Sequence, residues 1–155
     1  MRIGVIGAGG RIGRDVCFSL SRIFSESIIV LGGRNFEHVK ELELEIPKSE
    51  FKFIDYRECD SLRMFMQHVD LVCICSGNAN DSSNIIECAI LMNKDVISLS
   101  DLNIFTNIYN KYHNNTSSRI ILGNGIVPGL SGLLPRYLKK FLGDKIDKLE
   151  VYYWG

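Results

Sequence analysis

The order of apolar segments along the chain constrains its fold more than any other feature. Seven short apolar runs alternate with six segments whose apolar residues recur at helical spacing. The middle runs, such as DLVCICSG, hold almost no charge, which is typical of parallel strands covered on both faces. This alternation favours an α/β protein with a doubly wound, mostly parallel sheet in three layers.

The bounds of the predicted elements follow from these patterns and from the residues that interrupt them. We predict strands over residues 2–6, 27–32, 50–56, 70–77, 95–100, 119–125 and 148–154. We predict helices over residues 11–23, 36–44, 61–68, 82–92, 104–112 and 130–141. Asp60 is the predicted N-cap of the third helix, and the leucines of the last helix predict a face that packs against the rest of the chain.

The stretch VIGAGGRIGRD places four glycines directly after the first predicted strand: Gly7, Gly9, Gly10 and Gly13. The common GxGxxG spacing fails because position 12 is Ile12, whereas GxxGxxG fits Gly7, Gly10 and Gly13. In a dinucleotide-binding turn, Gly7 permits the tight turn, Gly10 lets the backbone approach a pyrophosphate, and Gly13 lets the helix lie close to the sheet. The N–H groups at 11–13 would then favour the anion. A plain strand-to-helix turn is the alternative interpretation.

The second predicted strand ends in LGGRN, where an NAD-binding protein usually places an acid about 20 residues after the glycine turn. No acid occurs here before Glu37. Arg34 instead offers a guanidinium that suits a 2′-phosphate, and Gly33 leaves room for adenosine. We therefore place Arg34 and the adjacent Asn35 in the cofactor site and expect NADP rather than NAD, the alternative being a solvated surface arginine.

The fourth predicted strand ends in SGNAN. Small polar residues at the carboxyl end of a parallel strand lie where ligands bind in open α/β sheets. Ser76, Gly77 and Asn78 are therefore predicted to approach the ribose nearest the nicotinamide. An ordinary polar turn explains the same residues.

The overall charge and the apolar runs exclude some partners. The chain has 18 basic and 18 acidic residues, and its formal net charge is zero, which argues against nucleic acid or a membrane surface as the main partner. No apolar run approaches the ~20 residues that span a bilayer. The apolar stretch at the N-terminus is too short for a secretory signal and is interrupted by glycines and arginines.

The cysteines and histidines indicate no metal site. The five cysteines are Cys17, Cys59, Cys73, Cys75 and Cys88. We interpret them as reduced core residues of a cytoplasmic protein, because their number is odd and most lie in apolar runs. The histidines, which lack metal-ligand spacing and are expected away from the cofactor, are His38, His68 and His113.

Five segments, in order, resemble the nucleotide domain of saccharopine dehydrogenase-like proteins. They are VIGAGGRIGR at the start, GGRN after the second strand, DLVCICSG in the fourth, VISLSD in the fifth, and PGLSGLL after a strand and a glycine. The resemblance covers nearly the whole chain and implies a Rossmann domain that binds NADP or NAD. It also implies site residues: Gly7, Gly10, Arg11 and Ile12 at the pyrophosphate turn and Arg34 at the adenosine end.

The same resemblance implies oxidoreductase chemistry on C–N bonds, with hydride passing between nicotinamide and the imine carbon of an amino-acid-type secondary amine. In that family a second domain follows this point and supplies most substrate contacts and the proton-transfer groups, so no catalytic residue is assigned. We expect residues 1–147 to form the NADP-binding domain and residues 148–155 to begin a substrate or dimerisation domain. The aromatic segment VYYW favours contact with such a domain or with another subunit.

Other functions stay open at this point. The chain could be a dinucleotide-binding module without catalysis, or a fragment with a structural role. GAGGRIGR also resembles the opening of dihydrodipicolinate reductase, although SGNAN and SLSD differ from the strand-end motifs of that family.

Overall fold

The computed structural model describes residues 1–76, 79–99, 102–113, 116–123, 130–143, 148 and 150. The strands are β1 (Arg2–Ile6), β2 (Ile28–Gly33), β3 (Ser49–Phe53), β4 (Leu71–Ile74), β5 (Asp95–Ser98) and β6 (Ile120–Ile121). The helices are α1 (Arg11–Ile23), α2 (Lys40–Glu45), α3 (Cys59–Met66), α4 (Ala79–Leu91), α5 (Leu102–Tyr112) and α6 (Leu130–Leu142).

The strands form one parallel sheet in the order β3-β2-β1-β4-β5-β6. The chain winds outward from β1 to β3, then returns to the other side of β1 and winds outward to β6. The order therefore reverses between β1 and β4, where crossover loops leave in opposite directions and open a crevice. This arrangement confirms the predicted doubly wound α/β fold.

Each face of the sheet packs against its own group of helices. Ile3 and Val5 of β1 lie in one buried cluster with Cys17 of α1 and Leu42 of α2. On the opposite face, Ile6 lies in a second cluster with residues from α3, α4 and α5. Because successive residues of a strand point to opposite faces, the continuous apolar runs supply both clusters, and the result is the predicted three-layer arrangement.

Phe65 of α3 lies directly on the sheet. A Cβ placed at Gly4 would be 2.9 Å from its ring, and one placed at Gly32 would also be 2.9 Å from it. The ring is 1% exposed. Because Gly4 of β1 and Gly32 of β2 have no side chains, the Phe65 ring can occupy the space next to these two neighbouring strands.

Four predicted helix starts differ from the structure, and α4 and α5 begin earlier than predicted, at Ala79 and Leu102. The helix predicted over 36–44 is a 3-10 turn, Phe36–His38, followed by α2. The Asn35 side chain ends the extended backbone there, because its Oδ1 accepts the Glu37 N–H at 3.0 Å. Asp60 is not an N-cap, since α3 starts at Cys59 and its N-cap is Glu58.

The C-terminal part differs most from the sequence prediction. The sixth strand is confined to Ile120–Ile121, and the strand predicted over 148–154 falls almost wholly outside the described residues. Two leucines of α6 do not pack as predicted, since Leu133 is 63% exposed and Leu134 is 42% exposed. No helix in the described part of the chain is both long and apolar enough to cross a membrane.

Ion pairs join the strands at their amino ends. Arg2, which opens β1, donates its backbone N–H to Asp70 Oδ2 at 2.8 Å, and its guanidinium pairs with Glu50 of β3. Asp95, which opens β5, accepts the Arg119 N–H at 2.8 Å and its Nε at 2.9 Å. These contacts link β1 to β3 and β4, and β5 to the start of β6.

Candidate functional site

A cleft of about 570 Å³ opens at the carboxyl edge of the sheet. The residues that line it come from the ends of β1 to β4 and from the loops that follow them. They are Ile6, Gly7, Gly9, Gly10, Gly32, Gly33, Arg34, Asn35, His38, Val39, Ile54, Tyr56 and Ser76. The cleft therefore lies at the crevice where the strand order reverses.

The turn after β1 has the geometry predicted for Gly7 and Gly13. Gly7 has φ +86°, a conformation that favours glycine, and its carbonyl accepts the Gly10 N–H at 3.0 Å. A Cβ at Gly13 would lie 2.0 Å from the Gly7 carbonyl oxygen. The first turn of α1 can approach the end of β1 this closely only because residue 13 has no side chain.

Gly10 differs from both of these glycines. Its φ of −78° and ψ of 163° are open to any residue, and a Cβ there would meet only the Gly7 carbonyl oxygen, at 3.2 Å. The backbone conformation therefore does not require glycine at this position, and a Cβ would make one close contact with a backbone oxygen rather than the severe clash found at Gly13. Gly10 is also among the residues that line the cleft.

The N-terminus of α1 follows at once. The Arg14 N–H makes the first helical hydrogen bond, to the Gly10 carbonyl at 2.9 Å, so the N–H groups at 11–13 precede the helical ladder. The first turn holds no acidic residue, which leaves the positive end of the helix dipole without a carboxylate on that turn. Arg11 and Ile12 have exposed side chains and are not among the lining residues.

Arg34 follows β2 at the next part of the cleft. Its guanidinium carbon lies 5.9 Å from the centre of the Tyr56 ring, and among the described residues no carboxylate pairs with it. Asn35 lines the same wall, but its side-chain oxygen is engaged in capping the 3-10 turn. The wall is thus a cation beside an aromatic ring, with no acid among the lining residues.

Two of the lining residues that the sequence analysis did not predict, Tyr56 and His38, have polar side chains. Tyr56 could have been found from strand order, because β3 borders β2 and its carboxyl end must lie beside Arg34. The expectation that His38 lies far from the strand ends is wrong, since His38 belongs to the 3-10 turn and lines the cleft at the carboxyl edge of the sheet. The same turn explains Gly9, where a Cβ would lie 2.8 Å from His38 Cβ.

Ser76 lies beyond β4, on the opposite side of the glycine turn from Arg34. Its backbone N–H nitrogen would be 3.1 Å from a Cβ at Gly7. The Ser76 hydroxyl oxygen is buried and has no hydrogen-bond partner within the described ranges. A buried hydroxyl of this kind is left to be satisfied by a further group. Gly77 and Asn78, predicted for the same site, lie outside the described residues.

The five cysteines differ in burial: Cys17 and Cys73 are buried, Cys75 and Cys88 are half-buried, and Cys59 is exposed. Burial raises the pKa of Cys17 and of Cys75 to about 12 and that of Cys73 to about 11, so these thiols stay protonated and behave as core groups. The expectation of core placement is wrong for Cys59, which is exposed at the start of α3. No thiol therefore contributes a nucleophile to the cleft.

The sheet order and the glycine turn at the crevice define a Rossmann-type α/β domain. Saccharopine dehydrogenase (L-Glu forming) from Saccharomyces cerevisiae is similar in structure, with a TM-score of 0.78 and 14% identity over 92% of this chain and 31% of that one. A short-chain dehydrogenase/reductase from Vibrio parahaemolyticus is similar with a TM-score of 0.64 and 11% identity, over 77% of this chain and 76% of that one. A Rossmann-fold NAD(P)-binding family protein from Shigella flexneri is similar with a TM-score of 0.52 and 18% identity, over 78% of this chain and 66% of that one.

These likenesses are in fold, since all three identities are below 20%. The chain spans 31% of the length of the yeast saccharopine dehydrogenase. No protein-family model matches the sequence, and no curated protein matches it.

Proposed function

We propose that this chain is the NADP-binding domain of a saccharopine dehydrogenase-like oxidoreductase that acts on C–N bonds. The observation that carries the proposal is the glycine at position 10. Gly7 is explained by its backbone conformation and Gly13 by its packing, whereas Gly10 is required neither by its φ and ψ nor by a clash as short as that at Gly13, since a Cβ there would lie 3.2 Å from the Gly7 carbonyl oxygen. A ligand that must approach the backbone at this point supplies the missing reason, and the pyrophosphate of a dinucleotide is such a ligand.

The first turn of α1 supports binding of an anion beside Gly10. Its free N–H groups and the helix dipole both favour negative charge. Gly7, Gly9, Gly10 and Gly13 keep side chains out of this approach, and Arg11 and Ile12 contribute backbone N–H groups while their side chains point away to solvent. In the proposed complex the pyrophosphate lies across the crevice between the ends of β1 and β4.

The preference for NADP rests on the wall formed by Arg34. NAD is usually held by a carboxylate on the ribose hydroxyls, and none of the described lining residues carries one. Arg34 has no carboxylate partner within the described residues, so its donors are available for a 2′-phosphate. Asn35 holds the turn that follows Arg34 in place.

The nicotinamide end is proposed to lie beside Ser76, Gly77 and Asn78. The buried Ser76 hydroxyl lacks a partner among described residues, and a ribose hydroxyl would provide one. Hydride transfer to an imine also needs the imine to be held and a proton donor to be near it. We propose that residues 1–147 bind the cofactor and that residues 148–155 begin a domain that provides these groups.

The fluorescence of NADPH, titrated with the purified chain, tests the proposal directly. We expect binding by the unmodified chain with a preference over NADH, and a loss on the order of 100-fold or more for Gly10→Val, because a branched side chain occupies the phosphate position. Gly132→Val in α6 is the matched control, since a Cβ there meets nothing within 4 Å. Unchanged NADPH affinity in a Gly10→Val variant with a native circular dichroism spectrum would show that the turn is only structural.

A further inference from the structure

We propose that His38 is a specificity-determining residue that, together with Arg34, holds the 2′-phosphate of NADP. The inference rests on the proposed function and deepens it. It assigns a role to a residue that follows no strand directly and belongs to no sequence motif. The case depends on where the 3-10 turn places His38, on the charges around it, and on what a phosphate monoester requires.

The backbone at His38 is fixed from both sides. Asn35 Oδ1 accepts the Glu37 N–H at 3.0 Å, and the Val39 N–H bonds the Phe36 carbonyl at 2.9 Å. Val39 is 1% exposed and anchors the end of the turn in the core. The position of His38 in the cleft is therefore set before any ligand binds.

The 3-10 turn also lies directly against the glycine turn that follows β1. A Cβ at Gly9 would be 2.8 Å from His38 Cβ and 3.2 Å from its carbonyl oxygen. On its other side, the Phe36 ring lies 5.3 Å from the Phe51 ring of β3. His38 thus lies against the glycine turn, is exposed, and is among the residues that line the cleft together with Arg34.

Nearby charged residues are mostly paired with each other. Lys40 lies 3.8 Å from Glu37, and Arg14 lies 3.2 Å from Glu41. Among the described lining residues, Arg34 and His38 are the two whose side chains can carry positive charge. The cleft therefore offers an anion these two groups and no competing carboxylate.

A phosphate monoester requires more than one donor group. It has three terminal oxygens, each a strong acceptor, whereas a single guanidinium satisfies two of them in a bidentate contact. An imidazole N–H supplies a further donor. NAD has a hydroxyl at this position and does not need it, so His38 distinguishes NADP from NAD and leaves the shared parts of the two cofactors unaffected.

The test compares His38→Ala and His38→Gln with the unmodified chain in titrations with NADP⁺, NAD⁺, 2′,5′-ADP and 5′-AMP. Alanine keeps the Cβ that faces Gly9, and glutamine restores an N–H donor. We expect His38→Ala to lower the affinity for NADP⁺ and 2′,5′-ADP about 10-fold. The affinity for NAD⁺ and 5′-AMP should change less than about twofold, and His38→Gln should recover part of the lost affinity. His68→Ala is the control, because His68 lies at the opposite edge, where its backbone carbonyl accepts from Arg2.

The outcomes separate this inference from the proposed function. NADP⁺ binding by the unmodified chain that His38→Ala leaves unchanged would overturn the role of His38 alone. Equal losses for NADP⁺ and NAD⁺ would also overturn it, because they would place His38 at the pyrophosphate or adenine. If the unmodified chain bound none of the four probes, the proposed function would fail, and the inference with it.

Discussion

The two edges of the sheet are built from the same strands but have opposite chemistry. At the amino edge, Arg2 pairs with Glu50 and Asp70, and Asp95 pairs with Arg119. At the carboxyl edge, the described cleft residues include no carboxylate, and the Ser76 hydroxyl is unpartnered among them. The charged residues named at the amino edge are paired with one another, whereas Arg34 at the carboxyl edge has no carboxylate partner among the described residues.

This difference separates stability from binding. Ion pairs between strand starts favour the observed register, because a shift of one residue would separate the partners and move each apolar side chain to the opposite face of the sheet. The glycines of the other edge contribute no side-chain contacts, and the N–H groups at 11–13 that follow them precede the helical ladder. If the two edges are independent, substitutions at each should move different observables.

The largest expected effect comes from Gly13, because both the packing of α1 and the shape of the glycine turn depend on it. Gly13→Ala places a Cβ 2.0 Å from the Gly7 carbonyl oxygen, so α1 must move from the end of β1. We expect a loss of about 2–4 kcal/mol in the free energy of unfolding, measured by urea titration, together with loss of NADPH binding. Gly132→Ala, also within a helix but with nothing inside 4 Å, should instead stabilise the chain slightly. Equal stability of the two variants would contradict the packing.

The next effect concerns binding alone. Arg34→Ala should weaken NADPH by about 1.5–3 kcal/mol, the value of a charge-assisted hydrogen bond, and leave the melting temperature nearly unchanged, because Arg34 is exposed and has no carboxylate partner within the described chain. Affinity for NADH should change little. Isothermal titration calorimetry with both cofactors measures the difference. Equal affinities of the unmodified chain for NADPH and NADH would contradict the assignment of NADP.

The carboxyl edge was also the more predictable part of the sequence. GxxGxxG after an apolar run gave a turn whose Gly7 and Gly13 have the expected geometry, because both depend on local backbone and nearest packing. The parallel sheet followed from apolar runs too continuous for one exposed face. Whether Ser76, Arg34 and the other predicted site residues bind a cofactor stays a prediction.

What sequence reasoning missed depends on contacts between distant segments. His38 enters the cleft because Asn35 caps a short turn that the helical spacing of 36–44 concealed. The Arg2–Glu50 pair joins residues 48 positions apart. The strand order that brings them together cannot be predicted from the local sequence around either residue. The apolar stripe of α6 has the spacing of a packed face, yet Leu133 is 63% exposed, since periodicity does not identify what a helix packs against.

A smaller effect, of opposite sign for stability and binding, is expected at Ser76. Ser76→Ala removes a buried hydroxyl that lacks a partner within the described ranges. The unliganded variant should therefore be as stable as the unmodified chain or more stable by about 1 kcal/mol, whereas its affinity for NADPH should be lower. Ser118→Ala is a matched control, because its hydroxyl is likewise buried without a described partner but lies away from the cleft. Thermal melts with and without NADPH measure both terms. Reduced stability of unliganded Ser76→Ala would show that the hydroxyl serves the fold.

The smallest effect tests the amino edge by pH. Hydrogen bonds from Arg119 hold the pKa of the Asp95 carboxyl below its ordinary value of 3.8. Because the folded state favours the ionised carboxylate, the stabilisation is complete above about pH 5 and is lost as pH falls through the lowered pKa. Asp95→Asn should therefore lower the melting temperature by about 1–3 °C near pH 7, a difference that vanishes in acid. NADPH affinity should stay unchanged in Asp95→Asn, because the pair lies at the opposite ends of the strands from the cleft; a weakened affinity would mean that the two edges are coupled through the sheet rather than independent.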